Sequence, residues 1–223
     1  MFLTFLGRGS AFCPELGNTS ACFTADGRLV LLDCGETVFF QLYQRNALAQ
    51  AAEIYVYLTH LHADHVGSLA TLISYCWYVL HRQVNVIYPA AEVLQLLDLM
   101  GIERCCYRYT AETPAALQGV AAEPIPVQHV PDMPCFGYRF TVGDVRFYYS
   151  GDASALPAEI PAQLADGSLD FICQDTASAP SGHHCWVEEL CRAVPAPLRS
   201  RVYCMHLDTP DGQYCTSRGF RIV

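Results

Sequence analysis

Hydrophobic residues in this chain come in short unbroken blocks more often than in strict alternation, the pattern of buried strands. The clearest is Ile54-Tyr55-Val56-Tyr57-Leu58, rich in β-formers and free of charge. Similar blocks predict strands over 1–6, 84–88 (closed by Pro89), 105–109, 169–173 and 202–205, with an edge strand over 219–223. Segments 20–24 and 29–32 flank Asp26-Gly27 and predict a hairpin. A second hairpin turns at Val142-Gly143-Asp144-Val145, between a strand opening on Gly137-Tyr138-Arg139-Phe140 and a strand over 146–149. Helices are predicted over 37–49, over 91–100 and from about Cys185. Another follows His65, where Leu69, Leu72, Ile73, Cys76, Trp77 and Leu80 recur at spacings of three and four. Core packing explains that stripe. The flanking Tyr75 and Tyr78 leave room for a dimer interface or a wall of a substrate pocket. The Pro- and Ala-rich stretch that begins at Thr113-Pro114 reads as a variable connection.

Strands alternating with helices in 223 residues predict one α/β domain spanning 1–223. Hydrophobic residues make up 52% and charged residues 16%, which leaves little for disordered segments. The net charge of −9, with only 13 Lys and Arg, disfavours a long nucleic acid and favours a small substrate. Twelve cysteines are scattered without a C-x-x-C pair. Several, such as Cys22, Cys34, Cys173 and Cys204, sit in apolar runs. We read them as reduced thiols of a cytoplasmic protein with no signal peptide and no separate structural zinc site. The longest uncharged run, 66–80, is too short to span a membrane.

Chemistry concentrates at one point. Immediately after the block 54–58 comes Thr59-His60-Leu61-His62-Ala63-Asp64-His65, three imidazoles and a carboxylate within six residues. Imidazole nitrogen with carboxylate oxygen is the donor set that suits zinc and similar divalent ions. His60 and His62, two apart, can converge on one ion. Asp64 and His65, on the first turn of a helix, can face a second. A strand end that opens into a helix is a usual place for such chemistry.

This H-x-H-x-D-H run, followed by Gly67, resembles the metal-binding motif of the metallo-β-lactamase fold superfamily. The resemblance implies an αβ/βα four-layer sandwich, two mixed β-sheets face to face with helices outside and the metal site at one edge. Other segments carry it further. Phe5-Leu6-Gly7-Arg8-Gly9-Ser10 and Asn18-Thr19-Ser20 resemble the opening of many members; the glycines there read as a turn or as a phosphate cradle. Leu32-Asp33-Cys34-Gly35-Glu36 is similar to the family's L-D-C-G-E, whose carboxylate supports the ligand loop from behind. The context of His129 resembles the tRNase Z-like branch, whereas thioesterases and lactonases of the fold usually show a Gly-His-Thr motif. Ser150-Gly151-Asp152 matches the bridging carboxylate, and His206 the last metal ligand.

The resemblance therefore implies two divalent ions, zinc first, with manganese or iron(II) as alternatives. His60, His62 and His129 would hold one ion, Asp64, His65 and His206 the other, and Asp152 would bridge them. Two ions roughly 3.5–4 Å apart can share a hydroxide and clamp the oxygens of an in-line displacement. In the phosphodiesterase branch a further histidine that is not a ligand contacts phosphate and protonates the leaving oxygen. Here His183 and His184 both fit that place. Catalysis would rest on Asp64 and on one of these two. Only 22 residues separate His129 from Asp152 and two strands use them, so a tRNA-binding arm has no room there. The expected activity is hydrolysis of a small phosphodiester, a cyclic nucleotide or cyclic phosphate, by a homodimer. Hydrolysis of esters, thioesters or lactones, RNA 3′-processing, and metal binding without turnover are the competing readings.

Overall fold

The computed structural model describes residues 2–223; Met1, the first residue of the expected opening strand, lies outside them. The described chain divides into two compact units, one made of residues 2–7 and 17–117, the other of 8–16 and 118–223. No helix among the described residues is long and apolar enough to cross a membrane.

The first unit holds β1 (Thr4–Gly7), β2 (Ser20–Ala25), β3 (Arg28–Leu32), α1 (Val38–Gln44), α2 (Ala47–Gln50), β4 (Ile54–Tyr57), α3 (Ala63–Val66), α4 (Leu69–Tyr78), β5 (Val84–Ile87), α5 (Glu92–Leu99) and β6 (Tyr107–Thr110). Its six strands pair in chain order, the first two pairings antiparallel and the next three parallel. The β2–β3 hairpin turns where the sequence predicts, with Asp26 at φ +47 and Gly27 at φ +73, the two positive values that match strand twist. Every residue of β4 is buried, which explains why the block 54–57 is apolar without alternation. The helix expected over 37–49 is two helices. Asn46 adopts φ +54 between them, a left-handed conformation asparagine tolerates better than most residues. The buried face of α4 is Leu69, Ala70, Leu72, Ile73 and Cys76. Beside it, Phe39 and Tyr43 of α1 meet Tyr75 edge-on at centroid distances of 5.5 and 5.7 Å.

The second unit holds β7 (Val120–Pro126), β8 (Phe136–Val142), β9 (Val145–Tyr149), α6 (Glu159–Asp166), β10 (Phe171–Asp175), α7 (Val187–Ala193), β11 (Val202–Met205), α8 (Gln213–Thr216) and β12 (Arg221–Ile222). Its sheet repeats the pattern of the first: two antiparallel pairings, then three parallel ones, in the order β7 to β12. Strand β7 corrects the expectation of a variable connection after Thr113. Pro124 and Pro126 obscure it in the sequence, and both are tolerated because β7 is an edge strand. Helices α6 and α8 are likewise unanticipated. On one face of this sheet Phe140, Phe147 and Phe171 stack across three strands at 5.0 and 5.1 Å. Tyr148 and Ile172, one residue along, join Ile160, Leu164, Leu190 and Cys204 in the core under the helices. Period-two alternation thus divides β9 and β10 between two buried faces.

Candidate metal centre

In the first unit the chemistry is built around Asp33, at the end of β3, fully buried and at φ +63. Its Oδ1 accepts the Thr59 N–H at 2.8 Å, and its Oδ2 accepts the Thr59 hydroxyl and His65 Nδ1, each at 2.9 Å. Burial pushes the Asp33 carboxyl up, and the charge and hydrogen bonds of His65 and Thr59 pull against that. Once the Thr59 proton is committed to Asp33, its oxygen is left to accept from His60 Nδ1 at 3.1 Å. The network therefore assigns the Nδ1–H tautomer to both His60 and His65 and leaves Nε2 as a lone-pair donor on each. Such anchoring of the far ring nitrogen is what metal-ligating histidines require.

The loop after Asp33 locks α3 from the other side. Cys34 N–H bonds the His65 carbonyl at 2.7 Å, and the Ser68 N–H bonds the Cys34 carbonyl at 3.1 Å. A Cβ on Gly35 would lie 1.9 Å from the Asp64 carbonyl oxygen, so only glycine allows this approach. His60 Nε2 then stands 3.0 Å from His62 Nδ1, and His65 Nε2 stands 3.4 Å from Asp64 Oδ2.

In the second unit the side chains come from the carboxyl ends of β7, β9, β10 and β11, where α/β sheets place their sites. Asp152 follows β9 and is buried; its Oδ2 lies 3.3 Å from His206 Nε2 and 3.7 Å from His129 Nε2. Asp175 closes β10 and is fully buried. Its Oδ2 accepts His184 Nδ1 at 2.8 Å and the Ala153 N–H at 3.1 Å, and its Oδ1 is 3.5 Å from His206 Nδ1. Burial opposes protonation of His184, yet the hydrogen bond and charge of Asp175, with Asp152 behind, lift its pKa above the ordinary value against the opposing charge of His206. Asp152, Asp175, His184 and His206 gather so closely that one donor atom from each lies within 4.8 Å of all the others.

These donors fit a divalent ion. Two ligand atoms at about 2.0–2.1 Å from a tetrahedral ion are separated by about 3.3–3.4 Å. The His65–Asp64 and His206–Asp152 separations of 3.4 and 3.3 Å have that size, and His60 and His62 stand closer, at 3.0 Å.

A family profile described as "Anti-Pycsar protein Apyc1" matches residues 1–222. The chain belongs to that family. The Anti-Pycsar protein Apyc1 of Paenibacillus harenae is 28% identical over 246 residues, which cover 100% of this chain and 97% of the relative. Among solved structures, the metallo-β-lactamase fold protein YhfI from Bacillus subtilis matches with a TM-score of 0.74 at 15% identity, over 97% of this chain and 90% of that one. A diphosphatase from the PhnP family matches with a TM-score of 0.69 at 20% identity, over 99% and 94%. The fold of this Apyc1-family chain is the metallo-β-lactamase fold.

Of the residues singled out in the sequence, His60, His62, Asp64 and His65 cluster in the first unit of this family member. His129, Asp152, His183, His184 and His206 cluster in the second. Two residues of these networks had no role assigned from sequence. Thr59 was part of the motif, and its hydroxyl links Asp33 to His60 and sets the His60 tautomer. Asp175 lies just beyond the strand expected over 169–173, although a carboxylate closing the otherwise uncharged run Phe171-Ile172-Cys173-Gln174 is itself a signal.

Proposed function

We propose that this chain is a dinuclear metal-dependent phosphodiesterase that hydrolyses a small cyclic nucleotide or cyclic phosphate. The observation that carries the reading is Asp175 gripping His184 beside Asp152 and His206. An imidazole held by a buried carboxylate, next to ligand-type residues, is a proton donor placed at a metal centre. The full ligand set would be His60, His62 and His129 for one ion and Asp64, His65 and His206 for the other, with Asp152 shared, so that residues 1–223 act as one hydrolase domain. Zinc suits these nitrogen-rich donors best. Bound divalent ions would supply Lewis-acid stabilisation of phosphoryl oxygens and a water of lowered pKa.

The chain's own groups do the rest. His184 has committed its Nδ1 proton to Asp175, so Nε2 is the nitrogen that carries the transferable proton. Asp175 stabilises the imidazolium, and His184 passes the Nε2 proton to the leaving oxygen. Asp33 and Thr59 hold the tautomers of His60 and His65. Phe40 and Tyr78 are 57 and 64% exposed in the first unit, and a second copy of the chain would cover them in a homodimer.

The test is hydrolysis of a generic activated phosphodiester by zinc- and manganese-loaded protein, followed by 2′,3′- and 3′,5′-cyclic nucleotides. Turnover that disappears in Asp64→Ala is expected. Metal-loaded protein that turns over thioesters or lactones and no phosphodiester would overturn the reading.

A further inference from the structure

His129 and His183, 54 residues apart, exchange hydrogen bonds. His129 Nδ1 lies 2.9 Å from the His183 carbonyl oxygen, and His183 Nδ1 lies 2.9 Å from the His129 carbonyl oxygen. A carbonyl only accepts, so each imidazole donates from Nδ1 and each ring keeps Nε2 for other work. The His183 loop is closed at its base, where Ala177 N–H bonds the Cys185 carbonyl at 2.8 Å and Val187 N–H bonds the Ala177 carbonyl at 3.0 Å. At its tip the Ser181 hydroxyl oxygen accepts the N–H groups of His183 and His184 at 3.2 and 3.1 Å. The reciprocal pair is what ties that tip to the segment after β7.

The geometry points to His183 as a positioning residue. It clamps His129 from both sides, fixing the tautomer through its carbonyl and the backbone through its ring, and His184 alone is left to face the leaving group. This rests on His129 being a metal ligand, as proposed above. The adjacent histidines thus divide the work. His184 takes a carboxylate partner and joins the Asp152–His206 group, while His183 takes a backbone carbonyl and serves the ligand.

The test uses the full chain with His183→Ala, His183→Asn and His183→Gln. The Asn side chain places an amide N–H where the imidazole Nδ1–H stands, and Gln places it one bond further out. Zinc affinity and stoichiometry are measured by chelator competition, with the visible spectrum of the cobalt-substituted protein and a thermal melt for each variant. The parent is expected to bind two ions. His183→Ala should weaken one of them about 10–100-fold and alter the cobalt spectrum. Asn should restore most of that affinity and Gln should not. Unchanged affinity at both ions in the Ala variant, or equal behaviour of Asn and Gln, would overturn the clamp and leave the metal reading standing. A parent that binds no metal would overturn both.

Discussion

Asp175 holds His184 through a 2.8 Å hydrogen bond from Nδ1 to Oδ2, and its other oxygen lies 3.5 Å from His206 Nδ1. One buried carboxylate therefore serves both a proposed proton donor and a proposed metal ligand. Asp175→Asn keeps the shape but leaves one carbonyl oxygen for two imidazoles and removes the charge that supports a protonated His184. Turnover should fall about 10–100-fold, the usual cost of losing such a support, with the chain still folded. Steady-state kinetics beside a circular dichroism melt check this. A variant with parental turnover would remove Asp175 from the mechanism.

Gly35 makes a second, purely steric prediction. Its Cβ would meet the Asp64 carbonyl at 1.9 Å, and neither backbone segment can yield without moving Asp64 and His65. Gly35→Ala should destabilise the protein by about 2–4 kcal/mol and weaken metal binding. Gly27→Ala is the control: its Cβ meets nothing within 4 Å, and it should cost only about 1–2 kcal/mol for the left-handed backbone. Urea denaturation of the two variants separates strain from packing.

What the sequence revealed and what it hid follow from range. The run from His60 to His65 is legible because its donors are neighbours along the chain, and β4 because complete burial makes it apolar throughout. Asp175 acquires its meaning only when β9, β10 and β11 are paired, bringing Ala153, His184 and His206 to its two oxygens. No local pattern encodes that. Strand β7 was hidden by prolines that only an edge position excuses. The break at Asn46 was hidden because helical periodicity continues on both sides of it. Spacing also could not separate His183 from His184, since the difference lies in partners from distant segments.

The cysteines give a prediction at neutral and alkaline pH. Cys105 is exposed, Cys191 is intermediate, and the other ten are buried. Burial pushes the Cys34 and Cys76 thiols up to about 12. At pH 8 only about one in ten thousand of such groups is thiolate, the reactive form. Alkylation of native protein at pH 8 should therefore mark Cys105 first and Cys191 more slowly, leaving Cys34 and Cys76 unmodified until denaturant is added. Peptide mass spectrometry reads the order directly. Rapid native labelling of Cys34 would show that the loop after Asp33 opens readily, against the hydrogen bonds to His65 and Ser68 that fasten it.

The same fastening sets how much stability the metals supply. A ligand that binds only the folded state adds about 2.7 kcal/mol when present at a hundredfold over its Kd. For a protein of this size that corresponds to about 5–10 °C in Tm. Removing both ions with a chelator should lower the melting temperature by about twice that amount, and restored zinc should recover it. Asp152→Ala should melt near the chelated parent and gain little from zinc, because Asp152 lies within 3.3–3.7 Å of two histidine nitrogens that need an anionic partner at the ion. Calorimetry with and without zinc decides it. A parent whose melt ignores both chelator and zinc would mean that these imidazoles and carboxylates satisfy one another, and the hydrolase reading would lose its centre.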